Sequence, residues 1–173
     1  HLLTPAETMK IKIVGIDPGL AGTGIGIIEG THHRVENFAF GAITTSAKDP
    51  QPLRLQKIYN RLCDVFRNED PDLIVIEDVF FLEKYPKSGI VLGKVSGVVL
   101  LACCMTRAAV KEVAVREAKQ ILTGNGNATK VQLETAVRKA LGYPHPIRPY
   151  HASDALGLAL IGLFRYGGSQ LRC

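Results

Sequence analysis

The sequence predicts an α/β protein with a five-stranded mixed sheet flanked by helices, and three observations predict it. Two short apolar runs, residues 11–16 and 73–76, are typical of strands that are buried on both faces of a sheet. Each run ends in one carboxylate, Asp17 or Glu77. A helical pattern separates the two runs, and a crossover through a helix implies that the two strands are parallel.

Length and composition limit the class of protein. The 173 residues suffice for one domain with a substantial core. We interpret residues 9–166 as this domain, residues 1–8 as a tail or cloning remnant, and residues 167–173 as a C-terminal tail. The net charge of +5 is compatible with a polyanionic partner but does not require one.

Membrane and disulfide classes are disfavoured by the sequence. No stretch has the ~20 consecutive apolar residues of a membrane helix, and the N-terminal residues lack the pattern of a signal peptide. The four cysteines form no Cys-x-x-Cys pair, which favours buried thiols in a reducing compartment over zinc sites or disulfides. We therefore expect a cytoplasmic protein without membrane association.

The N-terminal third is predicted to form three strands. The first strand, residues 11–17, is followed by a Pro-Gly turn. Gly22, Gly24 and Gly26 lack the spacing of a dinucleotide-binding loop, and the isoleucines among and after them continue as a strand. We expect a hairpin return beside the first strand, with the glycines where backbone passes close to a neighbour. Residues 33–45 are the predicted third strand.

A helix is predicted between the hairpin sheet and the second buried strand. After a predicted loop at residues 46–52, apolar residues recur every three or four positions, which is typical of one helix face. These residues are Leu55, Ile58, Tyr59, Leu62, Val65 and Phe66. The turn-forming residues 70–72 end the helix before the strand at 73–76.

The middle of the chain is predicted to alternate again between helix and strand. Residues 90–107 are expected to be helical, and their richness in Gly, Val and Ala suits close packing or a self-interface. A fifth strand is predicted over residues 112–115 and a short helix over residues 117–122. The Gly- and Asn-rich residues 123–127 are then expected to form a loop.

Two more helices are predicted after this loop. An amphipathic helix is marked by Leu133, Ala136, Val137, Ala140 and Leu141, with Thr129 and Lys130 in its first turn. Three prolines prevent a continuous helix over residues 143–150. The run at residues 155–164 is apolar nearly all round and should be a buried helix. His151 and Asp154, at i and i+3, project from one face of its first turn.

Four potential metal ligands should meet in this fold. Parallel strands end at the same edge of a sheet, where open α/β folds place their sites, so we expect Asp17 and Glu77 to lie together. With His151 and Asp154 they form the candidate catalytic and metal-binding set. Clustered carboxylates repel one another, and Mg²⁺ prefers oxygen ligands. Two ions about 4 Å apart can activate water and stabilise the leaving oxygen in phosphodiester cleavage, and a His ligand also tolerates Mn²⁺.

Each of these residues also has an alternative interpretation. Asp17 taken alone could be a hydrogen-bonded structural aspartate. His151 could be a general acid or base, or a capping or hydrogen-bonded histidine without a chemical role. Asp154 could be a first-turn acid that the helix dipole stabilises.

The acidic segments in this order and spacing resemble the RuvC family, the bacterial Holliday junction resolvases among the RNase H-like nucleases. The matching segments are Ile16-Asp17-Pro18-Gly19, Ile76-Glu77 with Phe80 three residues on, and residues 151–156. The resemblance covers residues 9–165. It implies that Asp17, Glu77 and Asp154 bind metal, and that His151 takes a fourth position that is Asp or His among members.

Three further residues take DNA-binding roles from the same resemblance. Lys119, followed by Gln120, and Lys130 match family lysines near the scissile phosphate. Phe80 matches an aromatic residue that stacks on unpaired bases at the junction centre. Without the resemblance, the lysines would be interpreted as solvated surface residues, and Phe80 or its neighbour Phe81 could be core residues.

The resemblance implies a Mg²⁺-dependent endodeoxyribonuclease that resolves four-way DNA junctions by paired nicks in recombination and repair. It implies two ions per site, with Mn²⁺ as a substitute, and a branch-migration helicase complex of RuvA and RuvB as partner. A two-fold junction calls for a homodimer, for which the helix at 90–107 is the candidate interface. The alternatives are a non-catalytic junction-binding protein and an RNase H-like nuclease that acts on RNA. An actin-like or sugar-kinase phosphotransferase would need a longer chain.

Overall fold

The computed structural model describes residues 9–78 and 86–168. In these residues, five strands form one sheet in the order β3-β2-β1-β4-β5. The strands are β1 (Ile11–Asp17), β2 (Gly22–Thr31), β3 (Arg34–Thr44), β4 (Leu73–Glu77) and β5 (Ala109–Val113). β1 to β3 pair antiparallel, whereas β4 is parallel to β1 and β5 is parallel to β4. The predicted mixed sheet and its central parallel pair are therefore confirmed.

Helices cover both faces of the sheet. The helices are α1 (Gln51–Glu69), α2 (Pro86–Cys103), α3 (Val115–Thr123), α4 (Lys130–Leu141) and α5 (Tyr150–Tyr166). Because side chains alternate along a strand, the central strands contribute to two cores. Ile13 and Val75 face the core formed with α3, α4 and α5, whereas Val14 and Ile74 face the core formed with α1 and α2.

Several predicted boundaries were wrong, among them the end of the helix predicted at 90–107, which lies at Cys103. The helix expected at residues 90–107 begins earlier, at Pro86, because the first helical position does not need the missing N–H of proline. The fifth strand lies at Ala109–Val113 instead of 112–115, and its three central residues are exposed at the sheet edge, which hides the apolar pattern. α1 begins at Gln51, inside the predicted loop, because Pro52 is also tolerated in a first turn.

Helix α5 lies directly on the sheet because glycines leave room for its backbone. A Cβ at Gly15 would overlap the carbonyl oxygen of Ala155, and a Cβ at Gly24 would overlap that of His151. Gly26 similarly faces the backbone of Leu156. Most of α5 is buried, as predicted, and the close contact brings its first turn to the carboxyl edge of β1.

Helix α2 is the exception among the described helices, because its apolar side chains are largely exposed. Ile90 and Leu101 are each 59% exposed, while Val95 and Val99 pack beneath them. By length and composition alone, the helix could cross a membrane, which contradicts the expectation that no segment is long enough. A core helix of a soluble protein meets the same criterion. Cys103 at its end is a buried free thiol, but Cys104 is exposed, contrary to the expectation of buried cysteines.

Candidate active site

The two carboxylates that end the central parallel strands lie side by side. Ile16 and Ile76 are partners in the parallel register of β1 and β4, so Asp17 and Glu77 follow at the same sheet edge. Asp17 is only 6% exposed, although it carries a carboxylate. A carboxylate withdrawn from water requires hydrogen bonds or a cation to compensate its charge. The side chains around Asp17 supply the hydrogen bonds.

His151 makes the shortest of these contacts. Its Nδ1 lies 2.6 Å from Asp17 Oδ2, which joins the first turn of α5 to the end of β1 across 134 positions of sequence. This hydrogen bond is the main cause that raises the pKa of His151, while partial burial opposes it. The imidazole therefore readily carries a proton beside Asp17.

Two acids of the site, Glu77 and Asp154, hold protons more tightly than isolated carboxyl groups because their pKa values are raised. Burial raises the pKa of Glu77 to about 9, and a hydrogen bond shared with Asp17 adds to the effect. Burial and the charge of Asp17 raise the pKa of Asp154 to about 6. Lys119 opposes both shifts, and Lys130 opposes the shift of Asp154. The positive charge of the two lysines therefore does not offset the burial and mutual repulsion of these carboxyl groups.

The donor set fits a hard divalent cation. Asp154 Oδ1 is buried and has no hydrogen-bond partner among the described residues, which is costly for a carboxylate oxygen unless a cation compensates it. Within residues 9–78 and 86–168, however, no three acidic, histidine or cysteine side chains converge as a ready-formed metal site. Asp17 is instead engaged by His151 and shares a hydrogen bond with Glu77. Cation binding would require these side chains to exchange partners.

Both predicted lysines lie in the same cavity, which has a volume of about 610 Å³. Lys119 is on α3, and Lys130 is the first residue of α4. Thr129 caps α4 through a reciprocal capping box with Gln132, which fixes where the helix begins. The side-chain amide of Gln120 makes two hydrogen bonds with the loop between α3 and α4. Its Nε2 donates to Gly124 O, and its Oε1 accepts from Gly126 N. Local hydrogen bonds thus present both lysines to the acids.

The structure adds a wall of the cavity that was not predicted. The side chains of this wall come from the loop after β1, from the first turns of α2 and from the start of α3. They are Leu20, Lys87, Ser88, Val91, Leu92 and Val115. The misplaced start of α2 concealed Lys87 and Ser88, and Pro86, typical of a first helical residue, was the signal that could have revealed them.

The predicted site residues therefore fall into two groups. Asp17, Glu77, His151, Asp154, Lys119 and Lys130 all line one cavity. Phe80 lies outside the described residues. The chemical roles of the six that meet remain predictions at this point.

Comparisons with known proteins identify the family. A sequence model described as crossover junction endodeoxyribonuclease RuvC matches residues 13–162. A protein of that name from Carboxydothermus hydrogenoformans is 39% identical over 160 residues, which are 91% of this chain and 99% of that protein. Another from Caldicellulosiruptor saccharolyticus is 35% identical over 153 residues, covering 87% of this chain and 90% of that protein.

A solved structure agrees with the sequence relatives. The structure of Thermus thermophilus RuvC in complex with Holliday junction substrate matches with a TM-score of 0.81 and 27% identity. The match covers 94% of this chain and 98% of that chain. It confirms the RNase H-like arrangement of a five-stranded mixed sheet between helices. This chain belongs to the RuvC family of crossover junction endodeoxyribonucleases.

Proposed function

We propose that this protein is a Mg²⁺-dependent endonuclease that resolves four-way DNA junctions by paired nicks in recombination and repair. The observation that carries the proposal is one cavity that contains three acids, a histidine and three lysines in a chain of the RuvC family. The T. thermophilus relative was solved with a Holliday junction, which supports the same class of substrate here. A DNA substrate also implies action in the cytoplasm.

The four acidic and imidazole side chains take the metal-binding role in this proposal. Asp17, Glu77, Asp154 and His151 would hold two Mg²⁺ ions, with Mn²⁺ as a substitute. When bound, the ions supply activation of the attacking water and stabilisation of the leaving oxygen. The buried Oδ1 of Asp154 supports this role, because it has no hydrogen-bond partner among the described residues.

The remaining polar groups bind the phosphate and move protons. Lys119 and Lys130 lie beside the acids and carry the positive charge that would attract a backbone phosphate into an otherwise acidic cavity. His151 Nδ1 lies 2.6 Å from Asp17 Oδ2, and as a general acid or base the imidazole would exchange a proton with water or a phosphate oxygen. Phe80 keeps its proposed stacking role on unpaired bases.

A second copy of the chain is the proposed partner of α2. Ile90, Leu100, Leu101 and nearby Met105 expose large apolar side chains along or just after this helix. Such a patch on a soluble protein marks an interaction surface. A two-fold dimer would place one cavity on each of the two strands that must be cut. We also propose the RuvA and RuvB branch-migration complex as a partner, which rests on family membership alone.

The proposal is tested by comparing a synthetic four-way junction with duplex DNA, single-stranded DNA and RNA in Mg²⁺, Mn²⁺ or EDTA. We expect symmetric, metal-dependent nicks in the junction only. Asp17→Asn should bind the junction but not cleave it, whereas Asp64→Asn, an exposed acid on α1, should behave as the unaltered protein. Junction binding without cleavage in any metal would instead indicate a non-catalytic binding protein. Preferential cleavage of RNA would overturn the choice of substrate.

A further inference from the structure

A second buried carboxylate lies outside the cavity. Asp17 and Glu134 are the two charged side chains that are buried within the described residues, and Asp17 belongs to the acidic site. Glu134, on α4, is only 2% exposed. Burying a carboxylate is costly, so its position calls for an explanation from its contacts.

One oxygen of Glu134 gathers three groups. Its Oε1 accepts a hydrogen bond of 2.9 Å from the backbone N–H of Ile147, which is 13 positions further along the chain. The same oxygen lies 2.6 Å from Nε of Arg138 and 3.7 Å from Nη1 of Arg148. The Ile147 side chain is itself fully buried in the core beneath α4 and α5. Glu134 therefore clamps the chain between α4 and α5 at Ile147.

The clamp connects two parts of the cavity. Glu134 lies four positions after Lys130, about one turn further along α4. Ile147 lies four positions before His151, and only Arg148 and Pro149 separate it from the start of α5. The contact therefore ties the helix that presents Lys130 to the backbone that leads into His151.

A purely stabilising role explains these contacts less well. A buried ion pair often contributes little or nothing to stability compared with apolar packing, because both charges must lose their hydration. The hydrogen bond from the Ile147 N–H to Glu134, however, is directional and fixes the position of one backbone amide. Glu134 accepts the hydrogen bond of the Ile147 backbone N–H. This amide lies just before α5, the helix whose first turn lines the cavity.

We propose that Glu134 is a positioning residue of the active site. By holding the backbone at Ile147, it sets where α5 begins, and so it sets the alignment of His151 with Asp17 and with Lys130 across the cavity. Glu134 touches none of the reacting groups and acts through the backbone. This proposal adds a positioning residue to the nuclease proposed above. Only its test by junction cleavage rests on that proposed function.

The test compares variants of Glu134 in the full chain. Glu134→Gln keeps an acceptor for the Ile147 N–H, whereas Glu134→Leu removes it. The first measurement is the ¹⁵N resonance of the His151 ring, taken without metal or DNA and assigned with His151→Gln. We expect the leucine variant to lose the signal of the Asp17 hydrogen bond and the glutamine variant to keep it.

The second measurement is junction cleavage. We expect Glu134→Leu to lower kcat roughly 10- to 100-fold with little change in KM, since small misplacements of catalytic groups cost about this much. Glu134→Gln should retain most of the activity. Leu62→Ala, which removes a buried side chain from the core on the opposite face of the sheet, serves as the control. It should lower Tm without changing the His151 resonance or kcat.

The outcomes separate this inference from the nuclease proposal. An unchanged His151 resonance and kcat in Glu134→Leu, with a lower Tm, would show a structural role alone and overturn the inference. If Glu134→Leu does not fold, Glu134→Asp replaces it, because its carboxylate is one methylene too short to reach Ile147. An unchanged His151 resonance in that variant would equally overturn the inference. Absence of cleavage in the unaltered protein would refute the nuclease function, while the resonance would still test the clamp.

Discussion

The acidic cluster should make the metal-free protein less stable as the pH rises. The pKa of Glu77 is raised from 4.5 to about 9, and that of Asp154 from 3.8 to about 6. A carboxyl group with a higher pKa in the folded state binds its proton more tightly there. Its contribution to stability is therefore complete below the unfolded pKa and is lost as the pH rises through the folded value. The raised pKa of His151 acts in the same direction.

The size of the effect follows from the shifts. For Asp154, a change of about two pKa units corresponds to about 3 kcal/mol of unfolding free energy, lost as the pH rises from about 4 to above 6. Glu77 extends the loss up to a pH of about 9, by an amount that depends on how it shares a proton with Asp17. Mg²⁺ binds the deprotonated carboxylates, so it should restore more stability at high pH than at low pH.

The assay is urea unfolding across this pH range, in EDTA and in Mg²⁺. Burial is the main cause that raises the pKa of Glu77 and Asp154, and the charge of Asp17 adds to it. Asp17→Asn removes that added effect, so the stability of this variant should fall less steeply with pH. Asp64→Asn is the control, because this exposed acid, within residues 9–78 and 86–168, pairs only with Arg67 on its own helix. Parallel pH curves for the unaltered protein and Asp17→Asn would refute the coupling between these acids.

Three further predictions concern packing, assembly and DNA binding. Gly24→Ala should lower the unfolding free energy by about 1–3 kcal/mol in urea titrations, because its Cβ would overlap the α5 backbone, whereas Gly41→Ala has open space and should not. Leu101→Glu should shift a dimer to monomers in sedimentation velocity, and an unchanged dimer would exclude this face of α2 as the interface. Lys130→Ala should reduce the slope of log K for junction binding against log salt by about 1, measured by fluorescence anisotropy. Lys48→Ala, on an exposed turn, should leave this slope unchanged.

Much of the scaffold is readable from the sequence because burial leaves a local pattern. The central strands are continuous apolar runs since both faces are covered, and a terminal carboxylate in each run stands out against that background. The apolar stripe of α1 and the nearly uniform apolar sequence of α5 likewise report one buried face and complete burial. The meeting of Asp17 and Glu77 follows from the parallel register alone.

Other features leave no local pattern because they depend on contacts between distant segments. Glu134 occupies an ordinary polar position of an amphipathic helix, and only the later backbone at Ile147 makes it a buried clamp. The hydrogen bond between His151 and Asp17 likewise depends on glycines that let α5 approach the sheet closely. Hydrophobic periodicity reports which face of an element is covered, but it carries no information about which residue covers it. Those pairings arise from packing, where shape and charge select partners over long separations in sequence.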